Sequence, residues 1–440
     1  MKRPALPSSV SLAHSPLPWP RRRFLQAGGT AVALLGSGLL AACGGDDGTA
    51  PAAPGAGPGT PGGGLGAVPP PAPPATGYTV QGRQILFNGN PYVAQGVCYS
   101  PLPIGANFGW PPIGDFFTPF WHAIWERDLP RMKAIGINAI RLYSTTPWAD
   151  PINPSSAANS HIAFLDACQA HGISVWAAYP IDSGAYGNNT PGYKDILNQG
   201  VAAIATEMAN HPAVVGFIIG NELNSAATRS DPNWWAWLDG LAATAKTNAP
   251  NKLTMMALVD DSMITVQAAH TYGNGAPHFD VFGINSYRGT ETSGFDVLFS
   301  SYASADSRPL LITEWGCPAS GRDASGKIIE LPNRAQAQAN YLRSHWLDIS
   351  NNLSTCSGGY IFEWQDEWWK NGDPVVHDPA VPTGANPAFP GGWDDEEWFG
   401  LHAVALNNRP ASEPNYNNGQ NPDLLTSRAA VDTLKALWGA

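Results

Sequence analysis

Eight short apolar segments, separated by stretches with helical periodicity, constrain the fold of this chain more than any other feature. Parallel strands need long crossover connections, so this alternation is typical of βαβ units. Eight consecutive units predict an α/β fold whose strands close into a (β/α)8 TIM barrel. A doubly wound sheet is the alternative, but no glycine-rich phosphate loop follows the first segment. The predicted strands are Tyr92–Val97, Asn138–Leu142, Ser174–Ala178, Val214–Ile219, Leu253–Val259, Val281–Ile284, Leu310–Thr313 and Gly359–Trp364.

Capping residues mark where several of the intervening helices begin and end. Thr118-Pro119 predicts a helix start, because proline is favoured in the first turn, and Gly136 predicts the end of that helix. Asp231-Pro232 predicts the start of another helix for the same reason. Both predicted helices lie between predicted strands, as a barrel of this kind requires.

Residues 1–43 are predicted to be an export signal that takes no part in the fold. Arg21–Gln26 (RRRFLQ) resembles a twin-arginine signal, and the apolar stretch that follows it is too short and too rich in glycine for a membrane span. Leu40–Cys43 (LAAC) resembles a bacterial lipobox, which makes Cys43 the candidate for lipidation. An ordinary cleaved signal with a chance cysteine is the alternative.

Residues 44–76 are rich in Gly, Pro and Ala, a composition that predicts a disordered, flexible linker. Residues 77–440 are then predicted to form a single domain. We expect a monomer that is exported to the bacterial cell envelope, in the periplasm or on the outer surface. A lipid anchor at its N-terminus would hold it to the membrane.

The charge and the tryptophan content of the chain indicate what kind of partner it binds. The formal net charge is −11, and the first 43 residues contribute only positive charges, so the remainder is more acidic still. Such a surface repels nucleic acid, so we expect no nucleic-acid partner. The chain has 17 tryptophans, and indole is a flat, amphipathic surface on which sugar rings can stack.

Two glutamates directly follow predicted strands. Glu222 comes after the fourth strand and Glu314 after the seventh. Catalytic groups of such barrels lie at the carboxyl ends of strands, and a buried acid is costly unless it is paired or functional. Two carboxyl groups about 5–5.5 Å apart across the barrel mouth would suit retaining glycoside chemistry. We predict Glu314 as nucleophile and Glu222 as acid/base; two buried, salt-bridged carboxylates are the structural alternative.

Residues at other strand ends complete the predicted site. Arg141 and Tyr287 are expected to donate hydrogen bonds near Glu314, and Asn221 is expected to hold the sugar 2-hydroxyl. A structural barrel arginine and an ordinary packed tyrosine are the alternatives for the first two. The further candidate substrate-binding residues are Tyr143, Trp364 and Glu367.

Two of these candidates also have structural interpretations. Trp364 could belong to the core, and Glu363 and Glu367 could pair with Lys370 instead of lining a sugar site. No cofactor and no metal are predicted, because no CxxC spacing exists and an acidic run such as Asp394–Glu397 is usually a solvated turn.

The cysteines beyond the signal allow disulfide pairing in an oxidising compartment. Cys98, Cys317 and Cys356 lie near the predicted first, seventh and eighth strands, so a disulfide among these three is a hypothesis. Cys168 lies on an apolar helical stripe and is predicted to be a buried thiol.

Several segments resemble motifs of glycoside hydrolase clan A and follow one another in the same order as in those enzymes. Its members are retaining (β/α)8 enzymes with the acid/base on strand four and the nucleophile on strand seven. Within the clan, the chain most resembles the family 72 β-1,3-glucanosyltransferases, over about residues 80–405. The segments are Arg127–Pro130 (RDLP), Asn138–Tyr143 (NAIRLY), Gly216–Asn224 (GFIIGNELN), Phe282–Tyr287 (FGINSY), Thr313–Cys317 (TEWGC), Ser357–Ile361 (SGGYI) and Glu397–Leu401 (EWFGL).

This resemblance implies a retaining β-glycosidase or transglycosidase that acts on β-glucan, with β-1,3-glucan as the favoured substrate. The expected partner is a β-linked polysaccharide or oligosaccharide. The reaction would pass through a covalent glycosyl-enzyme intermediate. In family 72 a sugar hydroxyl, not water, resolves that intermediate; both outcomes use the same two carboxylates, so the residues leave hydrolysis and transfer open. The alternatives are a family 5-like endo-β-glycanase on cellulose or mannan and a catalytically inactive glycan-binding lipoprotein.

Overall fold

The computed structural model describes residues 77–109, 112–147, 160–330, 332–377, 386, 389–412 and 421–439. The predicted signal, the predicted linker and Cys43 lie outside the described residues. Among the described residues, no helix combines the length and the hydropathy needed to cross a bilayer.

Eight parallel strands close into a barrel, which confirms the predicted (β/α)8 fold. Neighbouring strands pair in chain order, and the last strand closes the barrel by pairing with the first, with Gly358 opposite Ala94. Each strand overlaps its predicted segment. The strands are β1 Ala94–Cys98, β2 Ala139–Arg141, β3 Ser174–Tyr179, β4 Val214–Asn221, β5 Leu253–Val259, β6 Val281–Asn285, β7 Leu310–Trp315 and β8 Cys356–Ile361.

Helices connect the strands and surround the barrel. The described helices are α1 His122–Ile135, α2 Ile162–Ala170, α3 Tyr193–Met208, α4 Pro232–Asn248, α5 Ile264–Tyr272, α6 Leu298–Ala305, α7 Pro332–Asn351 and α8 Ala429–Trp438.

The helix boundaries lie close to where the capping residues indicate, although the Thr118 side chain makes no capping hydrogen bond. A short 3-10 turn, Pro119–Trp121, leads into α1, and Gly136 ends α1 with a left-handed φ of 93°. At the start of α4, the Asp231 side chain accepts a hydrogen bond from the backbone N–H of Asn233. These caps satisfy backbone groups that have no partner within the helix.

The barrel interior is apolar and tightly filled. The strand residues are almost all buried, and large side chains such as Trp176 and Trp315 have no exposed surface. Close packing explains Gly216 in β4, because a Cβ there would lie 2.0 Å from the carbonyl oxygen of Leu253. Glycine lets β4 and β5 approach each other closely.

In the part of the chain that the structure describes, three small antiparallel sheets accompany the barrel. Tyr78–Gln81, Gln84–Phe87 and Asn90–Pro91 form a three-stranded sheet ahead of β1. The other two lie in the connections that leave the carboxyl ends of β7 and β8, on the face of the barrel where active sites occur. Those hairpin pairs are Ser320–Arg322 with Ile328–Glu330, and His402–Ala405 with Leu424–Ser427.

The disulfide hypothesis is wrong for the described residues. Cys98, Cys317 and Cys356 are free thiols, and each is buried in its own packing environment. The Cys98 thiol points to the carbonyl oxygen of Thr313, at 3.4 Å, and burial raises the pKa of Cys98 to about 12. Cys168 is buried and free, which confirms its prediction as a buried thiol.

Candidate active site

The Glu314 carboxylate lies in β7 and accepts hydrogen bonds from three side chains. Its Oε1 atom accepts from Arg141 Nη1 at 2.7 Å and from the Tyr143 hydroxyl at 2.9 Å. Its Oε2 atom accepts from the Tyr287 hydroxyl at 2.8 Å. Arg141 is the last residue of β2, and Tyr287 follows β6, so the closed barrel brings together donors from distant parts of the chain. Both oxygens are therefore held in place, one of them by a positive charge.

Glu222 lies immediately after β4, in a different environment. Its backbone has a left-handed φ of 54°, and its N–H donates to the carbonyl oxygen of Ala257 at 2.9 Å. The Oε1 atom accepts from Asn285 Nδ2 at 2.8 Å. Burial, followed by the negative charge of Glu314, raises the pKa of Glu222 to about 8. Glu222 is therefore protonated at neutral pH.

Arg141 and Asn285 connect the two carboxyl groups. Arg141 is 1% exposed, and its Nη1 atom donates to Asn285 Oδ1 at 3.2 Å as well as to Glu314. Its Nη2 atom donates to Asn221 Oδ1 at 2.5 Å, and the same oxygen accepts from Asn285 Nδ2 at 3.0 Å. One network of hydrogen bonds thus spans the mouth of the barrel from Glu222 to Glu314.

Asn285 is a site residue that was not predicted from the sequence. It is the last residue of β6 and is held by the Thr313 hydroxyl, which donates to Asn285 Oδ1 at 2.7 Å. The rule that selected the glutamates, a polar residue at the carboxyl end of a barrel strand, also applies to Asn285. Only the closed barrel reveals that its amide contacts Glu222 and Arg141 at once.

Trp364 does not line the site, which corrects its predicted contact with substrate. It has no exposed surface and packs against His402, with ring centroids 4.3 Å apart. Its backbone N–H donates to the carbonyl oxygen of Cys98 at 3.1 Å. Because β8 ends at Ile361, the chain beyond it turns against β1 and buries the indole; core packing was the correct alternative.

Glu367 is buried and paired with a cation instead of open to a sugar. It is 2% exposed and lies 3.4 Å from Lys370, whose Nζ atom also lies 2.8 Å from Glu396. Glu363 is buried beside Glu367, and burial together with the charge of Glu367 raises the pKa of Glu363 well above its usual range. The predicted substrate contact of Glu367 is therefore wrong in this structure, and the ion pair is correct.

The acidic run Asp394–Glu397 is not a solvated turn, contrary to its interpretation from the sequence. Asp395 and Glu397 are fully buried. Asp395 forms an ion pair with Arg322, and the Glu397 carboxylate accepts from the backbone N–H of Asn371. No group of three or more His, Cys, Asp or Glu within the described ranges is arranged to hold a metal ion.

The two glutamates offer complementary chemistry. One carboxyl group carries a proton at neutral pH, and the other is held by three donors in a buried position. Pairs of carboxyl groups whose environments differ in this way serve as acid and nucleophile in glycoside cleavage. The arrangement can therefore protonate a leaving oxygen and attack the anomeric carbon of the same sugar.

Comparison with known proteins identifies the family. The sequence model of glycoside hydrolase family 72, described as glucanosyltransferase, matches residues 84–377, more than half of the chain. The chain belongs to the glucanosyltransferase family. The matched region contains Glu222, Glu314 and every residue of the network between them.

Curated 1,3-beta-glucanosyltransferases are similar to this chain over part of their length. The 1,3-beta-glucanosyltransferase gas5 of Schizosaccharomyces pombe is 26% identical over 277 residues, which cover 60% of this chain and 50% of that protein. The 1,3-beta-glucanosyltransferase GAS5 of Saccharomyces cerevisiae is 23% identical over 296 residues, which cover 64% and 54%. The chain therefore spans about half the length of the curated relatives it matches.

Solved structures share the fold of this family 72 chain. A mutant of Saccharomyces cerevisiae Gas2p in complex with laminaritetraose and laminaripentaose matches with a TM-score of 0.52 at 16% identity, covering 83% of this chain and 67% of that chain. A GH2 beta-galacturonidase from Eisenbergiella tayi matches with a TM-score of 0.53 at 18% identity, covering 82% and 54%. At these identities the likeness supports the barrel fold alone.

Proposed function

We propose that the protein is a retaining transglycosidase that cleaves β-1,3-glucan and transfers the donor part to another sugar chain. In the first step the Glu314 carboxylate attacks the anomeric carbon, while Glu222 gives its proton to the leaving glycosidic oxygen. In the second step Glu222 takes the proton of an acceptor hydroxyl, which attacks the anomeric carbon and releases Glu314. Each turnover returns both carboxyl groups to their starting protonation states.

The main support for this proposal is that one hydrogen-bond network holds two carboxyl groups that differ in protonation and in hydrogen bonding. Glu222 holds a proton at neutral pH, as a general acid must. Glu314 is fixed by Arg141, Tyr143 and Tyr287, as a nucleophile that attacks from one direction must be. A protein that only binds glycans needs neither feature.

The remaining network residues have positioning roles in this proposal. Arg141 orients Glu314 and holds Asn221 through its second nitrogen. The Asn221 oxygen is occupied by Arg141 and Asn285, which leaves its amide N–H group to donate to the sugar 2-hydroxyl. Hydrogen bonds to that hydroxyl strengthen in the transition state of glycoside cleavage.

The substrate and the reaction are tested by sizing products. The purified protein is incubated with laminari-, cello- and manno-oligosaccharides. We expect products longer than the donor from laminari-oligosaccharides alone, because the curated relatives are 1,3-beta-glucanosyltransferases. Shorter products only would mean hydrolysis, and turnover of the cellulose or mannan series instead would overturn the assigned linkage.

Glycine variants with added azide test the two catalytic roles separately. Glu314→Gly leaves space for azide to attack the donor directly, so we expect a glycosyl azide of inverted configuration. Glu222→Gly retains the nucleophile, so azide attacks the covalent intermediate from an activated donor and gives the retained configuration. Without azide, both variants should lose activity by orders of magnitude; near-normal turnover in either would refute the assignment.

We further propose that the protein is exported and anchored to a membrane through lipid on Cys43. The sequence of Leu40–Cys43 and the twin-arginine segment Arg21–Gln26 support this proposal. Cell fractionation and labelling with a fatty-acid analogue test it, since Cys43→Ser should abolish the label and release the protein from membranes. Cys168→Ser is the matched control and should keep both; label retained on the Cys43→Ser protein would refute the anchor.

A further inference from the structure

Trp393 is the one tryptophan within the described ranges that is exposed, with 38% of its surface accessible. It lies in the connection between β8 and α8, directly after Gly392. The other tryptophans that the structure describes are buried or half-buried, so Trp393 alone among them offers a largely accessible, flat and amphipathic indole surface. Neither proposed catalytic step uses this side chain.

The Trp393 ring is held from one side. The guanidinium carbon of Arg322 lies 4.3 Å from the ring centroid. Arg322 is fixed in turn by Asp395, with Nη1 to Oδ2 at 2.5 Å and Nη2 to Oδ1 at 2.8 Å. Asp395 is fully buried and also accepts from the Ser320 hydroxyl. Because Arg322 covers one face, the opposite face of the ring is the surface available to a ligand.

The connection that carries Trp393 packs against the active site. The Phe389 ring meets the Tyr287 ring edge to face, with centroids 6.3 Å apart, and Tyr287 donates to Glu314. The N–H of Gly392 donates to the carbonyl oxygen of Phe389 at 2.8 Å, which closes a tight turn. Four residues span at most about 14 Å, so the Trp393 backbone lies within that distance of Phe389.

The elements around Trp393 also place it on the correct face of the barrel. Arg322 belongs to the connection after β7, and Trp393 belongs to the connection after β8. Both connections leave the carboxyl ends of their strands, where Glu314 and Glu222 also lie. The exposed indole therefore stands on the rim of the active-site face.

We propose that Trp393 is a stacking platform for one glucose unit of the glucan chain, outside the subsite where the bond is cleaved. The identity of that chain rests on the proposed function. The apolar face of a pyranose ring matches a flat indole, and a neutral sugar requires no charged partner there. A ring already fixed by Arg322 loses little conformational freedom on binding, so its contact area contributes efficiently to affinity.

The test measures binding of laminaribiose and laminarihexaose by calorimetry in the Glu222→Gln background, which prevents turnover. We expect Trp393→Ala to weaken hexaose binding about tenfold and to leave disaccharide binding unchanged, because only a long chain reaches the platform. Trp393→Phe should recover part of the loss. Tyr272→Ala, which removes an aromatic ring 43% exposed on α5, is the matched control and should change neither affinity.

In the active enzyme, Trp393→Ala should raise KM for long donors and leave kcat on the shortest productive donor unchanged. If the Trp393→Ala protein bound laminarihexaose as tightly as the protein that keeps Trp393, and both had the same melting temperature, the proposed stacking platform would be refuted. Failure of the proposed function is a separate outcome: normal turnover by Glu222→Gln would refute the catalytic assignment, and the effect of Trp393→Ala on KM for long donors would then measure the Trp393 contact in place of calorimetry.

Discussion

At the scale of single residues, the proton on Glu222 sets the pH range of the proposed reaction. Burial and the charge of Glu314 raise the pKa of Glu222 to about 8. We expect kcat/KM on laminari-oligosaccharides to fall as pH rises through about 8, because the general acid is then ionised. A pH–rate profile measures this limb, and a rate that stays constant up to pH 9.5 would contradict the role of Glu222.

The same proton affects stability. The folded protein binds it more tightly than the unfolded chain, so the contribution of Glu222 to the free energy of unfolding decreases as pH rises from about 4.5 to about 8. Glu222→Gln removes this titration and should raise the melting temperature relative to wild type by about 5 °C at pH 8.5, but not at pH 4.5. Asp195→Asn, at an exposed residue of α3, should show no such rise in melting temperature at pH 8.5.

At the scale of elements, Gly216 sets how closely β4 and β5 approach. A Cβ at this position would lie 2.0 Å from the Leu253 carbonyl oxygen, and neither strand can move without disturbing the barrel. We expect Gly216→Ala to lower the free energy of unfolding by about 1–3 kcal/mol, measured by denaturant unfolding.

Gly240→Ala is the matched control for that substitution. Gly240 lies within α4, and a Cβ there would have nothing within 4 Å. Alanine favours helix more than glycine, so this change should stabilise the protein by up to about 1 kcal/mol. If the two substitutions had equal effects, close strand approach would not be the reason for glycine at 216.

The strands also show how much of the secondary structure could be predicted from the sequence. All eight strands were predictable, because apolar runs and capping residues act over a few neighbouring positions. The end of β8 was not: the prediction continued to Trp364, whereas the strand ends at Ile361. Trp364 has the apolar character of a strand residue, but contacts with Cys98 and His402 from distant segments decide its position.

At the scale of the whole molecule, an ion cluster joins α8 to two loops on the active-site face, and within it Arg428 and Asp366 are buried whereas Glu330 is exposed. Arg428, which caps α8, donates to both oxygens of Asp366, at 2.6 and 2.7 Å, and to Glu330 at 3.0 and 3.1 Å. Arg428→Ala would leave Asp366 buried without its cation, so we expect a loss of about 3–5 kcal/mol in the free energy of unfolding.

Arg343→Ala on the exposed face of α7 is the control for the arginine and should change stability by less than about 0.5 kcal/mol. Denaturant unfolding measures both variants. If Arg428→Ala lowered the free energy of unfolding by no more than Arg343→Ala does, the ion cluster would not stabilise the packing of α8.

The sequence by itself determined the barrel, the order of its strands and the two glutamates at strand ends, because periodicity and strand-end position are local properties of the chain. Only the tertiary structure decided the proton on Glu222, the bridging role of Asn285, the burial of Trp364 and the exposure of Trp393. Each of these depends on atoms contributed by residues far away in the chain. Burial and hydrogen bonding are properties of that assembled environment, and no local pattern encodes them.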